Sequence, residues 1–308
     1  MNVGILQTAP VVYDRAGSLA KLETHLRAAA AQGVRLVVVG ETWFTGYPSY
    51  LDHVPGIALW DDPAHKQVFA QLAEGAIVVP GPETEHLARL CTELDLGLVL
   101  GATERVPVGY GSGTLFNALL TFAPGRGLVN HHRKLVPTYT EKLVYGPGDG
   151  AGLQAVALHG VRVGGLVCWE HWMPHARQAL HLSGEQIHVA VWPTVHELHQ
   201  VASRSYAFEG RCFVLAAGQL QQVRDLPPAL TLPPELAETP DRFLLRGGSC
   251  IVGPDGQYVV PPVFETDTLI SATLDLTRCT EERMTLDVTG HYSRPDVFGF
   301  SVDRSRPA

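Results

Sequence analysis

The sequence predicts an α/β protein with a single domain over residues 1–308, because short apolar runs alternate with helical patterns through its first two thirds. Of its 308 residues, 45% are hydrophobic and 18% are charged, which is enough apolar side chain to fill one large core. No long linker divides the chain. The last third has a different pattern, with turn residues between short strands, so we expect hairpins there.

Six runs rich in valine and leucine are predicted to be strands buried on both faces. They cover residues 2–7, 35–39, 97–100, 161–167, 187–192 and 213–217. Residues 247–252 and 257–260 are predicted to pair as a hairpin, since they flank the turn sequence Gly253-Pro254-Asp255-Gly256. Residues 269–274 predict one more strand.

Helices are predicted where apolar residues recur with a period near 3.6. The first lies between the first two strands, at Leu19, Leu22, Leu26 and Ala29, and Gly33 follows where a C-terminal capping glycine is expected. Similar patterns cover 83–94 and 197–211. The segment near 222–245 contains four prolines within LPPALTLPPEL, so we expect an irregular surface excursion there, and residues 299–308 are expected to form a short tail.

Charge and cysteine content argue against several classes of function. With a net charge of −8, the chain offers no basic field for nucleic acid or an anionic membrane surface, and neither is an expected partner. The N-terminus lacks a signal-peptide pattern, and no apolar run approaches the roughly 18 to 20 residues of a membrane helix, which predicts a soluble, cytoplasmic protein. The five cysteines are widely and irregularly spaced, so most are expected to be buried thiols.

Three segments place a reactive group after an apolar strand or beside turn residues. Glu41 follows a strand and a glycine, where a carboxylate can act as a general base with a raised pKa; alternatively it is a helix cap or a surface residue. Lys134 and Glu141 lie on either side of Pro137, and a lysine can lower a thiol's pKa and stabilise a negative intermediate. The alternative is a solvated basic run, with Glu141 pairing Lys142 or Arg133.

The third segment is VRVGGLVCWEHWMP, in which Cys168 lies at the end of an apolar strand. This is the position of an exposed nucleophile on a strand-to-helix elbow. The amide of Trp169 would then point at a developing oxyanion, whereas the alternative is one more buried thiol. A rival interpretation is a metal site at Cys168, His171 and His175, although Pro174 interrupts a continuous helix there. His196 and His199 are expected to be solvated or core histidines. Aromatic side chains that would line a pocket if they converge are Phe44, Tyr47, Tyr139, Trp169, Trp172 and Trp192.

Glu41, Lys134 and Cys168 occur in the chain order that defines the nitrilase superfamily of carbon-nitrogen hydrolases, and the chain resembles that family. The resemblance is closest to the true nitrilase branch, in which Trp-Glu-His follows the cysteine, as in GGLVCWEHWMP here. RKLVPTYTEKLVYGPGDG and GHYSRPDVF also look like nitrilases, and Glu141 matches the superfamily's second glutamate. These separated motifs extend the resemblance from the first strand to Phe298.

The resemblance implies a four-layer α-β-β-α sandwich, which becomes eight-layered when two subunits pair, and a homo-oligomer built from such dimers. It implies no cofactor and no metal. The expected catalytic residues are Glu41, Lys134, Cys168 and Glu141, and the residues expected to bind substrate or the oxyanion are Trp169, Tyr47, Tyr139 and His171. The expected reaction converts a small organic nitrile to its carboxylic acid and ammonia, through a covalent thioimidate and thioester. The alternative is an amidase or N-carbamoyl amide hydrolase with the same triad.

Overall fold

The structure is a computed structural model that describes residues 1–109 and 111–306, and strands and helices alternate along most of this described part. The strands are β1 Asn2–Gln7, β2 Leu36–Val39, β3 Gly97–Arg105, β4 Leu115–Ala123, β5 Gly127–Arg133, β6 Val156–Leu158, β7 Val161–Val167, β8 Ile187–Val191, β9 Phe213–Ala217, β10 Leu220–Gln222, β11 Phe243–Val252, β12 Tyr258–Phe264 and β13 Thr268–Thr273. The helices are α1 Arg15–Ala31, α2 Tyr50–His53, α3 Pro63–Gly75, α4 Pro82–Glu93, α5 Pro174–Leu182, α6 Glu197–Gly210, α7 Pro234–Ala237 and α8 Thr277–Arg283.

The strands form two mixed sheets. In the first, the order is β13-β1-β2-β3-β4-β5, with parallel pairing of β1, β2 and β3 and antiparallel pairing elsewhere. In the second, the order is β10-β11-β9-β8-β7-β6, and β12 pairs with β11 as a hairpin. Here β7, β8 and β9 are parallel. Each sheet therefore has a parallel centre built from strand-helix-strand units.

The sheets pack face to face, and helices cover their outer faces. Alternation along β2 shows this, because Leu36 and Val38 belong to the core between the sheets whereas Val37 and Val39 pack with Leu22 of α1 and Leu87 of α4. On the other side, α5 and α6 pack their small and aromatic residues on the second sheet. The layers are therefore helix, sheet, sheet and helix, which confirms the predicted α-β-β-α sandwich.

All six strongly apolar strands predicted from the sequence are present, as are the first helix, the helices near 83–94 and 197–211, and the hairpin of β11 and β12. Gly33 follows α1 with φ +80°, the conformation expected of a capping glycine. Sequence patterns did not predict the strands β4, β5, β6 and β10 or the helices α2, α3, α5, α7 and α8. The edge strand β5, GLVNHHR, is largely half-buried and polar, so it lacks the apolar run on which the strand predictions depended.

The expectation of a surface excursion near 222–245 was wrong for part of the segment. It begins in β10 and ends in β11, and between them lie a 3₁₀ turn at Val223–Asp225 and the short α7. Leu226, Leu230 and Leu236 are buried, and the first two pack in a third core cluster with Tyr50 and Val68. The apolar side chains between the prolines are therefore packed beneath the segment that carries them, not exposed to solvent. Of the predicted tail, residues 307 and 308 lie outside the described residues.

Among the described helices, none is both long and apolar enough to cross a membrane.

Candidate active site

Three strand ends bring Glu41, Lys134 and Cys168 to one place. Glu41 follows β2, Lys134 follows β5 and Cys168 follows β7. Lys134 Nζ lies 2.8 Å from Oε1 of Glu41, although the two residues are 93 positions apart in the chain. Both charged groups act on the Cys168 thiol, since Glu41 raises its pKa and Lys134 lowers it. The three residues predicted from separate motifs therefore form one cluster.

Lys134 is held between two buried carboxylates. Its Nζ donates to Glu141 Oε1 and Oε2 at 2.9 and 2.7 Å, in addition to Glu41. Burial opposes its positive charge, but Glu41, Cys168 and Glu141 together raise the pKa of Lys134 above its ordinary value. Lys134 is therefore a fixed cation, not a proton donor. Glu141 is 1% exposed and its carboxylate pairs with Lys134, which argues against the surface alternative for this residue.

Glu41 has the environment of a general base. Burial, reinforced by the charge of Glu141, raises its pKa to about 7, while Lys134 and Asn117 oppose the shift. Oε1 accepts from Lys134 and from Asn117 Nδ2, the latter at 2.7 Å. Oε2 is buried and has no hydrogen-bond partner among the described residues, so it is free to accept a proton. Gln219 Nε2 donates to the Glu41 carbonyl at 2.5 Å and holds the backbone of this turn.

Cys168 lies on a strained elbow between β7 and a short 3₁₀ turn. Its φ is +53°, a left-handed conformation that is unusual for a residue other than glycine and is common in functional turns. The side chain is only 4% exposed, so the expectation of an exposed nucleophile was wrong. Burial, followed by Glu41, raises the pKa of the thiol well above its ordinary value despite Lys134. The thiol is therefore protonated at rest and needs a base.

Glu170 connects the nucleophile to the lysine segment, a role that the sequence interpretation missed. Its carboxylate accepts from the backbone amides of Val167 and Leu135 at 2.7 and 2.8 Å, and from His132 Nε2 at 2.9 Å. Burial opposes its charge, but His132 and these amides lower the pKa of Glu170. The residues before Cys168 and after Lys134 are thereby tied to one carboxylate. The available signal was a glutamate two residues after the candidate nucleophile.

Asn117 was also missed, because β4 was not predicted. The Lys134 amide donates to the Asn117 carbonyl at 2.8 Å, which continues the pairing of β4 with β5 beyond the end of β5. The side chains of these two cross-strand neighbours both reach Oε1 of Glu41. Nothing in the local sequence around Asn117 distinguishes it from any other polar strand residue.

Two glycines allow the backbones of the site to approach closely. A Cβ on Gly101 of β3 would collide with the carbonyl of Gly40 and the amide of Thr42, on either side of Glu41. A Cβ on Gly148 would collide with the carbonyl of Lys134, to which the Gly148 amide donates at 2.8 Å. The GPGDG turn thus supports the lysine.

The cluster opens into a pocket of about 550 Å³ that Cys168 and Glu141 line. Tyr47, Tyr139 and Trp169 also line it, as predicted; Tyr47 Oη donates to Glu141 Oε1 at 2.9 Å, and Tyr139 is 84% exposed at the rim. Other residues of the wall are Ser49, Asp52, His53, Thr138, Thr140, Pro193, Thr194, His196, His199, Leu244 and Leu245. His196 is exposed and His199 is half-buried against Trp192, and the start of α6 places both on the wall of the pocket.

His171 does not line the pocket, so the expectation that it contacts the substrate was wrong. It is 2% exposed, and its Nδ1 lies 2.6 Å from the carbonyl oxygen of Cys168, on the far side of the elbow. The backbone turn at Cys168 separates its imidazole from the cavity. Phe44 and Trp192 are fully buried core residues, and Trp172 lies on the surface away from the pocket. Only three of the six aromatic candidates converge.

The metal interpretation of this segment receives no support. Among residues 1–109 and 111–306, no group of three or more histidine, cysteine, aspartate or glutamate side chains has an arrangement that could hold a metal ion. Pro174 begins α5, and His175 stacks on Phe300, so His171 and His175 do not share a helix face. His171 instead points toward His188.

Comparisons with known proteins show which family this chain resembles. A family model described as Carbon-nitrogen hydrolase matches residues 2–284. The chain is 36% identical to "Nitrilase 2" from an unknown prokaryotic organism, covering 99% of this chain and 93% of that one. It is 37% identical to "Aliphatic nitrilase" of Sinorhizobium fredii (strain HH103), covering 98% and 95%. Both matches span every residue of the cluster.

The fold has solved counterparts. A carbon-nitrogen hydrolase from Helicobacter pylori G27 superposes with a TM-score of 0.71 over 96% of each chain, at 19% sequence identity. At that identity the likeness concerns the fold alone. The family match over nearly the whole chain, the identity to two nitrilases and the sandwich with its buried cluster lead to one conclusion: this chain belongs to the carbon-nitrogen hydrolase family, in its nitrilase branch.

Proposed function

We propose that this protein is a nitrilase, which hydrolyses a small organic nitrile to the carboxylic acid and ammonia with Cys168 as nucleophile. The observation that carries the proposal is the buried cluster of Glu41, Lys134 and Glu141 beside the buried Cys168, which lines a pocket. The names of the two relatives, which are nitrilases over nearly the same length, support the choice of substrate class.

The first step is addition of the thiol to the nitrile. Glu41 takes the proton of Cys168 as the sulfur attacks the nitrile carbon and then passes that proton to the nitrile nitrogen, which gives a covalent thioimidate and returns Glu41 to its unprotonated form. The pKa of Glu41 near 7 suits this transfer, because about half of the base is unprotonated at neutral pH and it is basic enough to accept a proton. The positive Lys134 and the Trp169 amide stabilise the negative charge on the nitrogen.

The second step removes ammonia. Glu41 activates a water that adds to the thioimidate carbon, and collapse of this tetrahedral species expels ammonia and leaves a thioester. A second water then hydrolyses the thioester, which releases the acid and restores the Cys168 thiol. If the tetrahedral species expelled the sulfur instead, the product would be an amide. Glu141 holds Lys134 in place throughout and is a positioning residue.

The pocket wall supports a substrate of modest size. Tyr47 and Trp169 lie beside Cys168, and Tyr139 lies at the rim where the side chain of a bound nitrile would leave the cavity. We also propose a single catalytic domain, a cytoplasmic location and assembly as a homo-oligomer built from dimers. Exposed Leu198, Val201 and Phe208 on α6 support the assembly, since apolar side chains clustered on an outer helix face favour a protein contact.

Ammonia release tests the reaction. Matched aliphatic, arylaceto and aromatic nitriles are each assayed beside the corresponding amide, with the acid and amide products separated by chromatography. We expect turnover of nitriles to acid and poor turnover of amides, because a linear nitrile fits a narrow slot that a planar amide does not. Faster turnover of amides, or of N-carbamoyl compounds, would replace this proposal with an amidase.

A further inference from the structure

A line of buried polar groups runs from the backbone of Cys168 into the second sheet, away from the pocket. His171 Nδ1 lies 2.6 Å from the Cys168 carbonyl oxygen, and His171 Nε2 lies 3.0 Å from His188 Nε2. His188 Nδ1 lies 2.9 Å from Glu185 Oε2. Tyr206 donates to the other oxygen of Glu185. All four side chains are at most 2% exposed, and none is used in the mechanism above.

The partners at the two ends determine where the protons lie. A carbonyl oxygen only accepts, so His171 must carry a proton on Nδ1. Burial, reinforced by His188, lowers the pKa of His171 well below its ordinary value, so the ring is neutral and its Nε2 accepts. His188 must therefore donate from Nε2. Its Nδ1 faces Glu185, and although burial would raise the pKa of this carboxyl group, His188 and His181 lower it to about 2. An ionised carboxylate only accepts, so His188 carries two protons and is a buried imidazolium.

Packing holds this arrangement in one orientation. The His171 ring stacks on Trp192 with centroids 4.7 Å apart, and the His188 ring stacks on Tyr206 at 3.7 Å. His181 Nδ1, 3.2 Å from Glu185 Oε1, adds a second contact to the carboxylate. A Cβ on Gly164 of β7 would collide with Glu185, so the carboxylate is pressed against the strand that carries the nucleophile. Burying the charged pair of His188 and Glu185 costs free energy unless each group has its hydrogen-bond partners, as both do here.

The carbonyl that His171 contacts belongs to the peptide group whose N–H is that of Trp169. This N–H faces the Cys168 sulfur and lowers the pKa of its thiol. Because the two ends of a peptide group are conjugated, a hydrogen bond to its oxygen makes its N–H a stronger donor, and chains of hydrogen bonds reinforce one another. The positive charge on His188 therefore polarises His171 and, through it, the Cys168–Trp169 peptide group. The Trp169 N–H becomes a stronger donor to the negative atom that forms when Cys168 attacks the substrate.

We propose that His171, His188 and Glu185 are positioning residues that orient and polarise the Cys168–Trp169 peptide group, so that the Trp169 amide stabilises the negative charge formed when Cys168 attacks. The inference rests on the proposed function, in that it assigns the Trp169 amide to the oxyanion or its nitrogen equivalent. It adds a role for the histidine of the Trp-Glu-His motif, which lies behind the nucleophile and not in the pocket.

Two variants of His171 separate polarisation from packing. His171→Asn retains an N–H donor close to the position of Nδ1, whereas His171→Leu fills the space without a donor. We expect His171→Leu to lower kcat about tenfold with little change in KM, which is less than the hundredfold or more that loss of an oxyanion donor itself costs. His171→Asn should recover most of that loss. Equal losses in both variants, or no loss in His171→Leu, would overturn the proposal.

A second measurement does not depend on nitrile turnover. Butanal adds to a cysteine thiol to form a thiohemiacetal, whose oxygen takes the position of the oxyanion, whereas alkylation of the thiol by iodoacetamide forms no such oxygen. We expect His171→Leu to weaken butanal binding about tenfold and to slow the alkylation of Cys168 much less, because alkylation leaves no negative oxygen for the Trp169 amide to stabilise. An equal fall in both would show damage to the elbow and overturn the proposal. If the protein hydrolysed amides and not nitriles, the proposed function would fail while this result stood.

The protonation of His188 is observable directly. In protein labelled with ¹⁵N-histidine, nitrogen NMR should show both ring nitrogens of His188 protonated, and one protonated and one bare nitrogen for His171. His188→Gln identifies the His188 signals by their loss. A neutral His188 ring in the wild-type protein would contradict the proton assignment and the proposal with it.

Discussion

Asn117 donates to Oε1 of Glu41 over 2.7 Å, inside the protein, and so stabilises the charged form of the proposed base. Burial raises the pKa of Glu41 to about 7, and Asn117 is one of the groups that limit this rise. Glu41 must be unprotonated to accept the thiol proton. We therefore expect kcat/KM to fall as the pH decreases through about 7, well above the ordinary carboxyl value.

Removing Asn117 should shift this acid limb. In Asn117→Leu the carboxylate loses a hydrogen bond to its charged form, so the pKa of Glu41 rises further and the acid limb of kcat/KM moves to higher pH. Asn130→Leu is the matched control, because Asn130 on the neighbouring strand β5 donates to the carbonyl of Gly152 and not to Glu41. An acid limb that stays in place in Asn117→Leu would show that another group controls it.

Cys168→Ala should leave a folded protein without measurable turnover, because no other group can form the covalent intermediate. Intact-mass analysis after addition of nitrile should find an acyl adduct on the wild-type protein alone. Cys91→Ala and Cys279→Ala are the controls; both thiols are buried away from the pocket, and their loss should be mild. Turnover that survives Cys168→Ala would end the proposal of a cysteine nucleophile.

Glu141→Gln should lower turnover by about a hundredfold or more, the scale seen when one positioned electrostatic group is lost. Glutamine has no charge to hold Lys134, so the lysine loses one of its two anionic partners and the melting temperature should fall as well. Glu197→Gln changes an exposed glutamate of α6 and should alter neither quantity. A near-normal rate with a normal melting temperature in Glu141→Gln would remove this residue from the mechanism.

The outer face of α6 should pair two subunits around a two-fold axis. Leu198 is 68% and Phe208 48% exposed, and a charge in this patch would have to be buried on assembly. Light scattering should find a dimer or a larger even assembly for the wild-type protein, and smaller species for Phe208→Asp. Trp60→Asp, which changes an exposed aromatic outside this helix, should leave the assembly unchanged. A fully active monomer at all concentrations would exclude the expected assembly.

The sequence by itself determined the layered α/β fold and the reactive groups of the cluster. Continuous apolar strands are visible as local runs; Cys168 directly follows one of them, and Glu41 follows another after a single glycine. Glu41, Lys134 and Cys168 were identifiable because each lies in a local motif whose chain order is that of the family. Glu141 followed from the same motif as Lys134. These features depend on neighbours in the chain, which a linear pattern records.

The tertiary structure alone decided what surrounds those groups. Asn117 reaches Glu41 from β4, a strand that was not predicted, and the two residues are 76 positions apart in the chain, so no local pattern records their contact. His171 and Trp169 are close in sequence, yet only the left-handed turn at Cys168 puts His171 behind the nucleophile and Trp169 on the pocket. Burial likewise reversed the expected pKa of the thiol, since the loss of solvation outweighs the attraction of Lys134. Burial of a side chain depends on every element packed around it, so it cannot be predicted from a short segment of the sequence.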